Sequence, residues 1–133
     1  MINNSNLTGS LLPSLLLFYL LLHFSDGFIH ATAEPKFLLM VGNNFYKTVL
    51  GDWICLKIDV SKLTSPLVYE PAAPVGNIAP MKHDANEPLF PHIYGSLNTD
   101  AVVDEFNIIR SLDGTFDSID QLVDAMGNCN VSL

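Results

Sequence analysis

The chain has 133 residues, enough for one domain with its own core and too few for two. Fourteen acidic side chains against six basic ones give a formal charge of −8, and from Asp84 onward nine acids face a single base, Arg110. Such a surface repels phosphate backbones and argues against nucleic-acid binding, although a helix N-terminus can still hold a small anion.

Residues 1–25 contain no Asp, Glu, Lys or Arg, and residues 11–24 read LLPSLLLFYLLLHF. A membrane-spanning helix needs about twenty apolar residues, so this run is short for a span and has the length of a signal-peptide core. The usual Lys or Arg is missing before it, and cleavage at the small-x-small site Ala31-Thr32-Ala33 would remove His30. Asn3, Asn6 and Asn130 head Asn-x-Ser/Thr triplets, which chance also supplies. A cleaved signal, an uncleaved anchor and a foreign start joined to a domain that lacks its own beginning all remain open, and the last is preferred. A membrane is a partner only through residues 11–24.

The heptapeptide Asp26-Gly27-Phe28-Ile29-His30-Ala31-Thr32 places a histidine among apolar residues, beside a glycine that can turn the backbone sharply. Thr32 is suited to cap a helix over residues 33–45, with Pro35 tolerated in its first turn. Phe37, Met40, Val41, Asn44 and Phe45 recur near helical spacing, and Gly42 weakens the helix interior by about 1 kcal/mol. Residues 53–58 alternate, with Ile54, Leu56 and Ile58 on one face and Trp53, Cys55 and Lys57 on the other, which predicts a strand with a buried face. Residues 59–63 read as a turn and residues 67–70 as a short strand that ends at Pro71.

Residues 71–88 hold four of the eight prolines and no apolar periodicity, so they read as a long loop. The run Leu89-Phe90-Pro91-His92-Ile93-Tyr94-Gly95 then repeats the earlier device of a histidine and a glycine among apolar residues. Residues 102–109 are rich in Val, Ile and Phe and predict a strand. Ile119, Leu122, Val123 and Met126, with Ser118 and Gln121 at capping-box spacing and Gly127 as a stop, predict a short amphipathic helix. Cys55 reads as a buried thiol and Cys129 as an exposed one, and two cysteines make neither a disulfide framework nor a metal site. His83, Asp84, Glu87 and His92 are ligand types without a zinc or iron spacing, so no metal is expected. The absence of Gly-x-Gly-x-x-Gly, P-loop and Gly-x-Ser-x-Gly motifs excludes Rossmann dehydrogenases, P-loop kinases and serine hydrolases.

Taken in order, three segments resemble a known family, the domain of unknown function 952. Residues 26–32 (DGFIHAT) match its Gly-Phe-Ile-His-x-Ser/Thr motif. Residues 56–71 (LKIDVSKLTSPLVYEP) match its central strand–turn–strand, and residues 87–102 (EPLFPHIYGSLNTDAV) match its Leu-Phe-Pro-His-x-Tyr-Gly run. The resemblance spans residues 26–116, between the leader at 1–25 and a helix and tail at 117–133. It implies an α+β fold similar to the ADP-ribosyltransferases, a small split antiparallel-rich sheet with flanking helices around a cleft for a nicotinamide dinucleotide. His30-x-Thr32 before a helix also resembles a segment of the RNA phosphotransferases that share this fold. Family members carry a strand and a helix before the first motif. Here the leader stands in that place, so the N-terminal strand is expected to be missing, which would leave an open sheet edge and impair activity.

The implied function is a nucleotide-binding, NAD-dependent transferase-like domain, with NAD as cofactor and a nucleotide as small-molecule partner. His30, His92 and Glu87 are the candidate catalytic residues, and Thr32, Tyr94 and Glu70 the candidate cofactor contacts. Each has a structural alternative. His30 can bond to backbone, His92 can fix its turn, Tyr94 can pack as an aromatic, and Glu70 and Glu87 can be solvated surface groups. A non-catalytic small-molecule-binding or interaction module is the competing function, and a role decided by the leader is a third. Residence is cytoplasmic by the resemblance, and secretory or membrane-anchored by the leader.

Overall fold

The computed structural model describes residues 16–20, 27–80, 89–122 and 131–132, and among these, short runs of alternating or β-branched residues broken by Pro and Gly form eight strands and one helix. In chain order these are β1 (Leu16–Leu20), β2 (Ile29–His30), α1 (Pro35–Phe45), β3 (Ile54–Asp59), β4 (Leu67–Glu70), β5 (Phe90–Ile93), β6 (Val102–Arg110), β7 (Phe116–Ile119) and β8 (Val131–Ser132), with 3-10 turns at Val60–Lys62 and Thr99–Ala101. The fold is α+β, and all described strand pairs are antiparallel. One sheet has the order β1-β3-β6-β7-β8 and the other the order β2-β5-β4.

The sheet edge expected to be open is filled. Leu16–Leu20, read from sequence as the middle of a leader, is β1, paired antiparallel with β3 from Leu16↔Asp59 to Leu20↔Cys55. A leucine-rich run satisfies a signal core and a sheet strand equally well, and only the neighbouring β3 backbone distinguishes the two. Among the described residues no helix is long and apolar enough to cross a membrane.

Strand β3 is covered on both sides, whereas the sequence predicts one buried face. Cys55 joins Leu38, Leu39, Ile108, Phe116, Ile119 and Leu122 in a core under the helix. Three positions on, the pleat turns Ile58 to the opposite face, where it joins Ile29, Ala31, Ile93 and Ala101 between the two sheets. Burial pushes the Cys55 thiol up to about 12. At ordinary pH the thiolate, the form that reacts, is then scarce. In a Cys129→Ser variant, Cys55 should therefore resist a thiol reagent until guanidinium is added. Full labelling under native conditions would contradict this burial.

The helix begins at Pro35, with Glu34 as its N-cap residue and no side-chain cap. Thr32 does not cap it, because its hydroxyl donates to the Glu34 carbonyl at 3.0 Å. The buried stripe is Leu38, Leu39, Gly42 and Phe45, rotated from the predicted one, and Met40 is exposed. Residues 37–41 are apolar all round, so periodicity cannot choose the inner face; strand β7 does. A Cβ on Gly42 would meet the Phe116 ring at 2.9 Å. The glycine that weakens the helix thus lets the ring seat against it. Next to it, the Asn43 side-chain amide donates to the Phe116 carbonyl at 3.0 Å and accepts from the Phe116 amide at 2.8 Å.

The predicted C-terminal helix is also corrected. Ser118 and Ile119, its expected first residues, lie on β7, with Ile108↔Ile119 and Ser118↔Ser132 in register. Residues 123–130 lie outside the described residues, and Cys129 with them. Arg110 ends β6 and ties it to the loop after the helix. Its guanidinium donates to the carbonyls of Gly114, Val49, Gly51, Tyr46 and Lys47 at 2.8–3.4 Å. It also lies 4.3 Å from the Phe116 ring centroid.

Candidate functional site

The smaller sheet brings the two histidine motifs together. Strand β2 pairs with β5 so that His30 lies opposite His92 and Ile29 opposite Ile93. Strand β4 pairs with β5 so that Val68 lies opposite His92 and Glu70 opposite Phe90. Alternation sends Ile29 and Ile93 into the core between the sheets. Phe28, His30, His92, Tyr94 and Glu70 share the other face, being two residues apart on their own strands. Glu70 then reaches diagonally across to His92 and Tyr94. At the end of β5 the chain turns at Gly95, whose φ of +147° favours glycine and whose Cβ would meet Ser65 Oγ at 2.5 Å.

The side chains form a continuous cluster. The His30 and His92 ring centroids are 5.2 Å apart in an edge-on arrangement. The Phe28 ring lies 4.3 Å from His92, 4.7 Å from His30 and 5.2 Å from Tyr94. Glu70 Oε2 accepts from the Tyr94 hydroxyl at 2.6 Å and from His92 Nδ1 at 2.7 Å. An ionised carboxylate can only accept, so the His92 Nδ1–H is the donor in this bond. The bond from Tyr94, then that from His92, holds the Glu70 carboxyl below its ordinary range, and the same bond holds the Tyr94 phenol above its own.

Exposure separates the roles within the cluster. His92 is 1% exposed, while Tyr94 is 38% exposed and the Glu70 side chain 35%. In many carboxylate–histidine pairs the acid is buried and orients the imidazole. Here the imidazole is enclosed and the acid reaches solvent. Glu70 is therefore the group able to meet a ligand, with Phe28 and Tyr94 as an aromatic wall beside it.

Of the residues singled out in the sequence, His30, His92, Tyr94 and Glu70 come together. Thr32 is buried with its hydroxyl engaged by the Glu34 carbonyl, so that group is committed to the backbone ahead of the helix. Glu87, the third catalytic candidate, lies outside the described residues, as do His83 and Asp84. Among the described residues no cluster of three or more His, Cys, Asp or Glu could hold a metal ion. Phe28 was not singled out, although it touches three of the four rings and residues of the cluster. Its two-residue spacing from His30 on a strand was the available signal.

A family model described as "Protein of unknown function (DUF952)" matches residues 20–105. No curated protein and no solved structure matches the chain.

Proposed function

The chain belongs to the family described as protein of unknown function (DUF952), and from that premise we propose that it binds a nucleotide, NAD in the first instance, on the Glu70 face of the smaller sheet, as a transferase-like domain of the ADP-ribosyltransferase type. The observation that carries this reading is the convergence of one solvent-reaching carboxylate with two imidazoles and two aromatic rings. Each part suits a piece of a nucleotide. A carboxylate accepts hydrogen bonds from the two ribose hydroxyls, and an aromatic wall packs against a base or a nicotinamide ring. An ionised carboxylate beside the ribose is also suited to balance the positive charge that develops at the carbon losing nicotinamide. Glu70 takes the role that the resemblance offers to Glu70 or Glu87, His92 supports it through the Nδ1 bond, and His30 lies one ring further on, beside His92.

Titration calorimetry with NAD and NADH tests the reading. Wild-type protein should release or absorb heat on binding, and Glu70→Gln, which keeps the shape and loses the charge, should bind at least about tenfold more weakly. His30→Ala should also bind more weakly. Absence of heat with either nucleotide from folded wild-type protein overturns the proposal.

A further inference from the structure

Both hydrogen bonds to Glu70 fall on the same oxygen, Oε2. Among the described residues Oε1 accepts none. The donors come from one strand and its continuation, β5 and Tyr94 just beyond it, and approach a carboxylate that projects from the edge strand β4. A glutamate side chain in solution wanders over several rotamers, and immobilising it costs conformational entropy. Here two donors meet that cost before any ligand arrives. The Phe28 ring lies over both donor rings, 4.3 Å from His92 and 5.2 Å from Tyr94, and limits their movement.

From this geometry we propose that Tyr94 and His92 are positioning residues, whose two bonds fix Oε2 of Glu70 so that Oε1 is the atom offered to a ribose diol. The inference rests on the nucleotide reading for its ligand, but its structural half stands without one. In this role neither the His92 imidazole nor the Tyr94 hydroxyl bonds the substrate, although the Tyr94 ring still forms part of the aromatic wall. His92 is enclosed by Phe28 and His30, and the Tyr94 hydroxyl is spent on Glu70. Preorganisation of this kind raises affinity without adding a contact.

The titratable groups around Glu70, among the described residues, are His92 on β5, Tyr94 after it and, one ring further, His30 on β2. The sign of the pH effect follows from the bonds. A carboxyl held low stays ionised to lower pH than an ordinary glutamate, and what depends on its charge is lost at correspondingly lower pH. Removing a donor returns the loss to higher pH. Tyr94→Phe keeps the ring and its packing, so a purely structural tyrosine would be satisfied by it.

The test follows the Glu70 carboxyl carbon by NMR titration of the free protein, wild type against Tyr94→Phe, His92→Asn and His92→Leu, together with NAD affinity by calorimetry. Tyr94→Phe should raise the carboxyl midpoint and weaken NAD binding about fivefold near neutral pH. His92→Asn places an amide N–H near the former Nδ1 position and should restore a low midpoint, where His92→Leu should not. An unchanged midpoint in Tyr94→Phe overturns the positioning role, whatever binds. A raised midpoint in protein that binds no nucleotide supports the positioning of Glu70 and overturns the nucleotide reading alone.

Discussion

Phe116→Ala is expected to lower the unfolding free energy by about 3–5 kcal/mol, the range for removing a large aromatic from a core that cannot collapse around the gap. Phe116 is fully buried and meets the chain on several sides. Its ring seats against Gly42, lies 5.5 Å from the Trp53 ring and carries the Arg110 guanidinium over its face. Its backbone is meanwhile held by the Asn43 amide, so β7 cannot slide to close the space. Trp53 is the single tryptophan of the chain and reports the transition directly. Urea unfolding followed by its fluorescence should show a lower midpoint with an unchanged slope. A shift worth less than about 1 kcal/mol would show that the helix and β7 repack freely, contrary to the close approach at Gly42.

The second large effect is at Arg110. Arg110→Met keeps the length of the stem and removes the donors, and is expected to cost about 2–4 kcal/mol. The loss is large because one cation satisfies five carbonyls: those of Tyr46, Lys47, Val49 and Gly51 hold the loop between α1 and β3 onto the end of β6, and that of Gly114 holds the turn between β6 and β7. Those carbonyls would otherwise need water in a corner packed against Trp53 and Phe116. Arg110→Lys should recover little, because a point charge on a flexible stem cannot span the fork of acceptors. The combined Phe116→Ala and Arg110→Met protein should lose less than the sum of the single losses, since each substitution removes part of the other's contact. Additive losses in denaturant unfolding would mean that the stacking contributes nothing.

The site was legible in the sequence to the extent that strands are. His30 and His92 each sit in a short apolar run beside a glycine, and such runs form strands whose side chains alternate. Two of them with like patterns can pair with the histidines on one face, as β2 and β5 do. Residues 53–58, 67–70 and 102–109 read as strands from Val, Ile and alternation, and β3, β4 and β6 lie there within a residue, whereas residues 90–93 read only as a short apolar run and are β5. An aromatic residue in such a run reads first as core, yet Phe28 lies against His30, His92 and Tyr94. Thr32 departs from its expected role for a local reason. A threonine before a helical pattern is a good cap by type, but its hydroxyl found the Glu34 carbonyl instead.

What the sequence alone determined is the composition of the parts: an acidic single-domain chain, most of its central strands, a helix with a proline in its first turn, and two histidines in like apolar runs. These are short-range properties, fixed by residue type and by the period of two or 3.6. What only the tertiary structure decided is which parts meet. Leu16–Leu20 is a strand because β3 offers it an edge. Residues 116–119 extend because β6 and β8 flank them, and α1 turns Leu38 and Leu39 inward because Gly42 admits Phe116. Glu70 faces solvent over an enclosed His92 because β4 lies at an edge and β5 at the centre of their sheet. Each of these outcomes depends on a partner distant along the chain, and no local pattern of side chains encodes the partner's position.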